Sequence, residues 1–162
     1  MRLNVEPLDP GAFAPFGDVL HPEAGRERRT INAGHTVRHH DLARLVLDAE
    51  GGRPCLSIFR TRPLPTPLLL THLERHPLSS QAFFPLSGRD WLLVAAPAGE
   101  LEPAAIRAFR ARGDQGVNFH PGTWHHFSLA LDAVSDFLVV DRTGGAADLD
   151  ELELPEPLEI DP

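Results

Sequence analysis

Sixteen prolines and thirteen glycines are scattered along the whole 162-residue chain rather than gathered in one tail. Each proline removes a backbone donor and crowds the preceding helical turn, while glycine punctuates regular elements with turns. Long helices are therefore excluded, and the chain is cut into short pieces. From residue 54 onward apolar side chains recur at every second position, the period of a strand. Many short strands between Gly/Pro turns predict an all-β antiparallel sandwich or barrel with a few short helices, not a doubly wound parallel sheet.

Taken in order, residues 2–6 read as a first strand ended by Pro7, Pro10 and Gly11. Residues 12–17 read as one helical turn whose phenylalanines anchor the start of the chain to its body. Residues 18–20 resume an extended path, and the polar run 21–29 reads as a solvated loop. Residues 30–42 mix histidines, Arg38 and Asp41 with few apolar residues, so they form either a long loop reaching over a site or a surface hairpin. Residues 43–50, before Gly51 and Gly52, are either a short helix with a glycine stop or an extended segment ending in a turn.

Strands are expected over residues 55–60, 68–76, 81–88, 91–96, 106–112, 117–120, 125–131 and 134–140. A helix over 102–112 is the alternative to the fifth of these. Pro63, Pro65 and Pro67 force an irregular crossing between the first two. The acidic segment from Asp148 onward makes residues 143–162 an extended C-terminal arm that packs on a partner subunit. Residues 1–162 otherwise read as a single domain.

Fifteen basic against 23 acidic residues give a formal charge of -8, which argues against nucleic acid or an anionic membrane as the main partner. A small anionic metabolite remains open, held by a local arginine. The single cysteine, Cys55, has no partner for an internal disulfide and reads as a small buried hydrophobe on a strand. No apolar run has the length of a signal-peptide core or the roughly 18 residues of a membrane span. A cytoplasmic protein is expected.

Two histidine-rich stretches carry the chemistry. In the first, Thr71-His72-Leu73-Glu74-Arg75-His76-Pro77, the residues His72, Glu74 and His76 sit two apart and leave one face of an extended segment. Three ionisable groups on one strand face cost too much in an apolar core, so a pocket is expected there. The second, from Asn118 through His120, Pro121, Gly122, Thr123 and Trp124 to His125 and His126, wraps histidines around a Pro-Gly turn. Together the imidazoles and carboxylate suit a borderline divalent metal such as zinc, nickel, cobalt or iron. Without metal the same groups serve as general acid and base. Arg60 reads either as a fork for a substrate carboxylate or as a surface ion pair, and Trp124 as core or pocket wall. His21, His35 and His39 read as satisfied polar groups.

The sequence resembles the ureidoglycolate lyase family, formerly also described as ureidoglycolate hydrolases, within the cupin superfamily. The strings that carry the resemblance are A-P-F-G-D-V over 14–19, Ile31-Asn32 with Gly34, Arg38 and His40-Asp41-Leu42, then L-E-R-H-P-L over 73–78 with Gln81-Ala82-Phe83. They end with G-V-N-F-H over 116–120 and Trp124-His125-His126. The resemblance implies a cupin-like antiparallel β-barrel of jelly-roll type. Against the general cupin motifs, counting back from Gly88 sets Gln81 at the usual glutamate, His76 at the second histidine and Glu74 at the first; His125 follows from the second motif. The implied metal positions are thus Glu74, His76, Gln81 and His125, an altered set for nickel, zinc or manganese, with no organic cofactor.

The implied reaction is elimination of urea from ureidoglycolate to give glyoxylate in allantoin and ureide breakdown. It needs a base at the hydroxyl, an acid near the departing nitrogen and a cation for the carboxylate. Glu74 or His120 would be the base, with His72 and His40 as candidates for proton transfer to urea, and Arg60, Asn32, Arg38 and Trp124 as substrate-binding candidates. The alternatives are a hydrolase releasing ammonia and a non-catalytic cupin-like domain that holds a small carboxylate. A homodimer is expected.

Overall fold

Every residue of Trp91–Ala96 is buried, which a strand achieves only inside a sheet covered on both faces. The remaining elements are arranged around it. The computed structural model describes all residues except Arg26, and these form fifteen strands and one short α-helix. The strands begin with β1 Arg2–Leu3, β2 Val5–Pro7, β3 Gly17–Leu20, β4 Glu27–Ile31 and β5 Thr36–His40. They continue with β6 Arg53–Thr61, β7 Leu68–Arg75, β8 Gln81–Pro85, β9 Trp91–Ala96 and β10 Arg107–Ala111. The last five are β11 Gly116–Phe119, β12 Trp124–His125, β13 Leu129–Ala130, β14 Ser135–Thr143 and β15 Asp150–Ile160.

A large sheet runs in the order β1-β15-β7-β12-β9-β10-β2, with β13 added to β9. A smaller one runs β3-β11-β8-β14-β6, and β4 and β5 form a separate ribbon. Phe83, Trp91, Phe109, Phe119 and Phe137 come from both sheets and meet in one core, so the sheets face each other as a nearly closed antiparallel barrel of cupin type. Alternation sends Leu93 and Ala95 into that interior and Leu92, Val94 and Ala96 to the opposite face. There Leu68, Leu70, Leu73, Ile106, Leu158 and Ile160 close a second core.

The helix α1, Pro10–Phe13, starts where the Asp9 carboxylate accepts the amides of Gly11 at 2.9 Å and Ala12 at 3.0 Å, with Pro10 at its first position. It ends by driving Phe13, fully buried, against Phe16, Phe109 and Phe119 at 5.5 to 5.9 Å.

Several expectations shift. The first strand divides at Asn4, with β1 pairing parallel to β15 and β2 parallel to β10. Of the loop expected over 21–29, residues 21–25 hold only a short turn, Arg26 lies outside the described residues, and 27–29 belong to β4, which pairs with β5; the 30–42 region is the hairpin alternative. Residues 43–48 form neither helix nor strand and lead into a tight turn at Ala49–Gly51. The 102–112 helix is absent: Pro103–Ala105 makes one turn, and β10 then buries Phe109 and Ala111 on one face and Ala108 on the other. The 125–131 strand breaks into β12 and β13. The acidic C-terminal segment is extended and lies in its own chain's large sheet, β15 pairing antiparallel with β7.

Strict alternation fails once in β7. Leu68, Leu70 and Leu73 all belong to the outer core, so the facing inverts between Leu70 and Leu73, opposite the register shift between Glu153 and Leu158 of β15. That inversion leaves Glu74 on the barrel side. Because Phe13 fills the centre of the barrel core, Phe13→Ala should lower the unfolding free energy by about 3–5 kcal/mol in a urea titration. A loss below about 1 kcal/mol would show that the neighbouring rings collapse into the space.

Candidate functional site

The cluster is built by one two-residue strand. β12 inserts between β7 and β9, pairing His125 with Glu74 on one side and with Ala95 on the other. Paired residues share a face, so His125 and Glu74 both enter the barrel, while Trp124 turns to the outer core. The turn before β12 is fastened to the end of β7 by a hydrogen bond from the Gly122 amide to the His76 carbonyl at 2.8 Å. Gly122 has a φ of 78°, which explains glycine at that position.

Glu74, His76 and His125 offer ligand atoms that all lie within 4.8 Å of one another. The His76 and His125 rings are 5.4 Å apart, and Nε2 of His125 lies 3.7 Å from Glu74 Oε1 and 3.0 Å from Gln81 Oε1. Gln81 enters from β8 across the barrel, and its amide reaches toward Asp141 at 3.5 Å. Each histidine is oriented from behind. Nδ1 of His76 is 2.7 Å from the Asp148 carbonyl and Nδ1 of His125 is 2.9 Å from the Thr123 carbonyl, so Nδ1 carries the hydrogen in both and Nε2 is a bare lone pair. Phe119 stacks on His125 at 4.4 Å.

The donor set is compatible with a divalent cation. His76 Nε2 is buried with no hydrogen-bond partner among the described residues. The lone pair of His125 Nε2 faces the Gln81 carbonyl oxygen, an acceptor against an acceptor, and reversing the amide would turn that oxygen on the Asp141 carboxylate instead. A proton does not resolve the conflict, because burial pushes His125 down to about 3. A cation does. The cluster is thus compatible with a divalent metal held by two imidazoles and a carboxylate, with the Gln81 amide oxygen beside them. The Glu74 carboxyl lies above its ordinary range, chiefly through burial, with His76 pulling it back and Glu151 adding to the rise.

Other residues singled out from the sequence lie elsewhere. His72 shares the face of Glu74, its ring 5.2 Å from the buried His126. His120 and His40 line a different cleft of about 550 Å³ with Asp18, Asp41 and Arg44, where His120 Nε2 is 3.1 Å from Asp18. Arg60 projects from the outer face of the small sheet and donates two bonds to Asp136 at 2.8 and 2.9 Å. Trp124 donates to the Gly99 carbonyl under the Arg75 guanidinium. Asn32 donates to Thr36 in the ribbon's turn, and Arg38 is exposed on β5. Asp148 and Asp141 were invisible to sequence reasoning. Asp148 sits in an acidic run that looks solvated, yet its carboxylate accepts from the Leu78 amide and the Ser79 hydroxyl, both at 2.6 Å, fixing the chain after His76.

The profile of the ureidoglycolate lyase family matches residues 1–161. A ureidoglycolate lyase of Burkholderia mallei (strain NCTC 10229) is 52% identical over 156 residues, covering 96% of this chain and 91% of that protein. The one from Burkholderia cepacia is 52% identical over 163 residues, covering 99% and 92%. A third, from Brucella melitensis biotype 2 (strain ATCC 23457), is 51% identical over 149 residues, covering 92% and 88%.

Burial also pushes His126 down, to about 4. An unfolded histidine titrates near 6.5, so between about 4 and 6.5 the unfolded chain binds protons that the native one refuses, and stability rises with pH. Glu74 works weakly the other way just above the ordinary carboxylate range. Metal-free protein should therefore lose on the order of a few kcal/mol between about pH 7 and pH 4.5, read as a falling urea midpoint. A flat midpoint would mean that the two rings accept protons in place.

Proposed function

The chain belongs to the ureidoglycolate lyase family, and from that premise we propose that it eliminates urea from ureidoglycolate and leaves glyoxylate, at the cluster of Glu74, His76, Gln81 and His125. The observation that carries this assignment is the convergence of two bare imidazole nitrogens, a carboxylate and an amide oxygen in a half-buried barrel site.

The substrate's central carbon bears a carboxylate, a hydroxyl and the ureido nitrogen. Loss of the hydroxyl proton turns the C–O bond into a carbonyl while the C–N bond breaks, and the departing nitrogen takes up a proton to give urea. His76, His125, Gln81 and one oxygen of Glu74 would hold a divalent ion, whose positive charge would polarise the substrate oxygens. The second oxygen of Glu74 takes the hydroxyl proton. His72, on the same strand face, is the candidate to protonate the urea nitrogen. Phe119, stacked on His125, and the apolar barrel core wall the inner side of the site. No electron transfer occurs, so no redox cofactor enters.

The reading extends to a cytoplasmic homodimer. The unpaired Cys55 suits a reducing compartment, and the outer face of the small sheet exposes Leu56, Ile58 and Phe84, an apolar surface suited to a second copy.

Incubation with racemic ureidoglycolate should release glyoxylate and urea in equal amounts without ammonia. Stoichiometric ammonia would instead indicate hydrolysis, and tight binding without turnover a carboxylate-binding domain. Glu74→Gln should lower kcat by roughly 100-fold or more while leaving the urea midpoint near that of wild type. In calorimetric titration with nickel or zinc, His76→Ala should weaken binding by at least about 10-fold; unchanged affinity would place the ion elsewhere.

A further inference from the structure

The ribbon β4–β5 has no core of its own. Residues 27–38 are all exposed, including Ile31 and Val37, and the two strands pack chiefly against each other and their turn. A lone two-stranded ribbon is marginal in water at best. This one is weakened further because Arg29 lies directly opposite Arg38, and like charges facing each other across a ladder repel. Glu27 neutralises Arg29, whereas Arg38 has no anionic partner among the described residues. Such a ribbon is built to lie on something apolar and to present a cation to something acidic.

Both complements are on the same molecule, but not under its own ribbon. The outer face of the small sheet exposes Leu56 to 70% and Ile58 to 55%, and continues through Leu138 and Val140 into an apolar groove beside Phe84. The acidic partner is the rim of the candidate site, where β15 sets Glu151 opposite Glu74 and Glu153 opposite His72. The arginines nearest that site are already engaged. Arg142 donates to the carbonyls of Ala49, Glu50 and Ala146, and Arg75 to Asp150 and the Gly99 carbonyl.

We propose that β4–β5 is an exchanged arm: two copies join through the outer faces of their small sheets, each ribbon crosses onto the other copy, and Arg38 supplies the cation that holds the substrate carboxylate in the partner copy's site. The identity of the substrate rests on the lyase reading above; the interface does not. The strand order puts β3, beside the root of the ribbon, and β6 at opposite edges of the small sheet. A two-fold axis lying in the interface along the strands therefore sets the ribbon of one copy over the β6 edge of the other. β6 is an edge strand that sets Cys55 opposite Asp141, which the Gln81 amide approaches, so the basic ribbon is carried toward the candidate site.

Light scattering on the full chain should give a dimer, and Val37→Asp combined with Ile58→Asp should give a folded monomer; a monomeric wild type overturns the arm. Arg38→Ala should lower kcat/KM by roughly 10- to 100-fold, the loss of a charge-assisted bond. The decisive arm mixes Arg38→Ala with Glu74→Gln after subunit exchange, verified with two affinity tags. In the mixed dimer one site keeps Glu74 and receives Arg38 from the other copy, so about a quarter of wild-type activity should return. No recovery in verified mixed dimers overturns the exchange, as does a neutral Arg38→Ala alongside an inactive Arg53→Ala, since Arg53 is the exposed same-chain competitor on β6. A wild type that makes no glyoxylate sinks the lyase reading and the role of Arg38 with it, while light scattering still decides the interface.

Discussion

One backbone hydrogen bond, from the Gly122 amide to the His76 carbonyl at 2.8 Å, holds together two segments that are almost fifty residues apart in sequence. It fixes the turn after β11 against the end of β7, so that the two residues of β12 slot between β7 and β9 in a single register. In a strand a slip of one residue exchanges the faces, which here would put Trp124 in the barrel and His125 in the outer core. The burial of both residues, indole outward and imidazole inward, makes the correct register by far the less costly one.

The barrel supplies the dielectric that the site needs. Phe119 on His125 and the aromatic core beneath it keep the imidazole neutral and its nitrogen bare. The backs of both histidines are satisfied by backbone carbonyls, of Asp148 and Thr123, so their ring planes are set by the main chain rather than by mobile side chains. Asp148 in turn is gripped by the Leu78 amide and Ser79, and Arg142 ties the 142–148 turn to the carbonyls of Ala49 and Glu50. The geometry of three or four polar atoms thus draws on four separate stretches of chain.

Much of this was legible in the residues. The Gly/Pro punctuation and period-two patterning foretold the all-β barrel, and the spacing of His72, Glu74 and His76 foretold one shared face. What escaped was long-range pairing. Nothing in residues 21–29 distinguishes a loop from β4, because both of its faces are wet and no apolar alternation remains to be read. The acidic run after residue 147 likewise looks like a solvated arm; its leucines make it a strand only because β7 offers an open edge. Arg60 shows the limit most plainly. Period two puts it on the face of Leu56 and Ile58, but which face of β6 looks into the barrel depends on β14, and the pairing of Phe59 with Phe137 turns the even positions outward.

Glutamine at position 81 bears on how the proposed site would treat its substrate. The four groups contribute one negative charge, from Glu74, because the imidazoles and the amide are neutral. With a divalent ion these four groups would carry one net positive charge, which a substrate monocarboxylate neutralises, within a rim that Asp141 and Glu151 keep acidic. A glutamate in place of Gln81 would cancel that charge before substrate arrived, and would stand beside Asp141 as a second carboxylate needing its own counter-ion. The amide avoids both costs while keeping an oxygen aimed at His125, so this exchange of glutamate for glutamine reads as a choice of charge rather than a loss of a ligand.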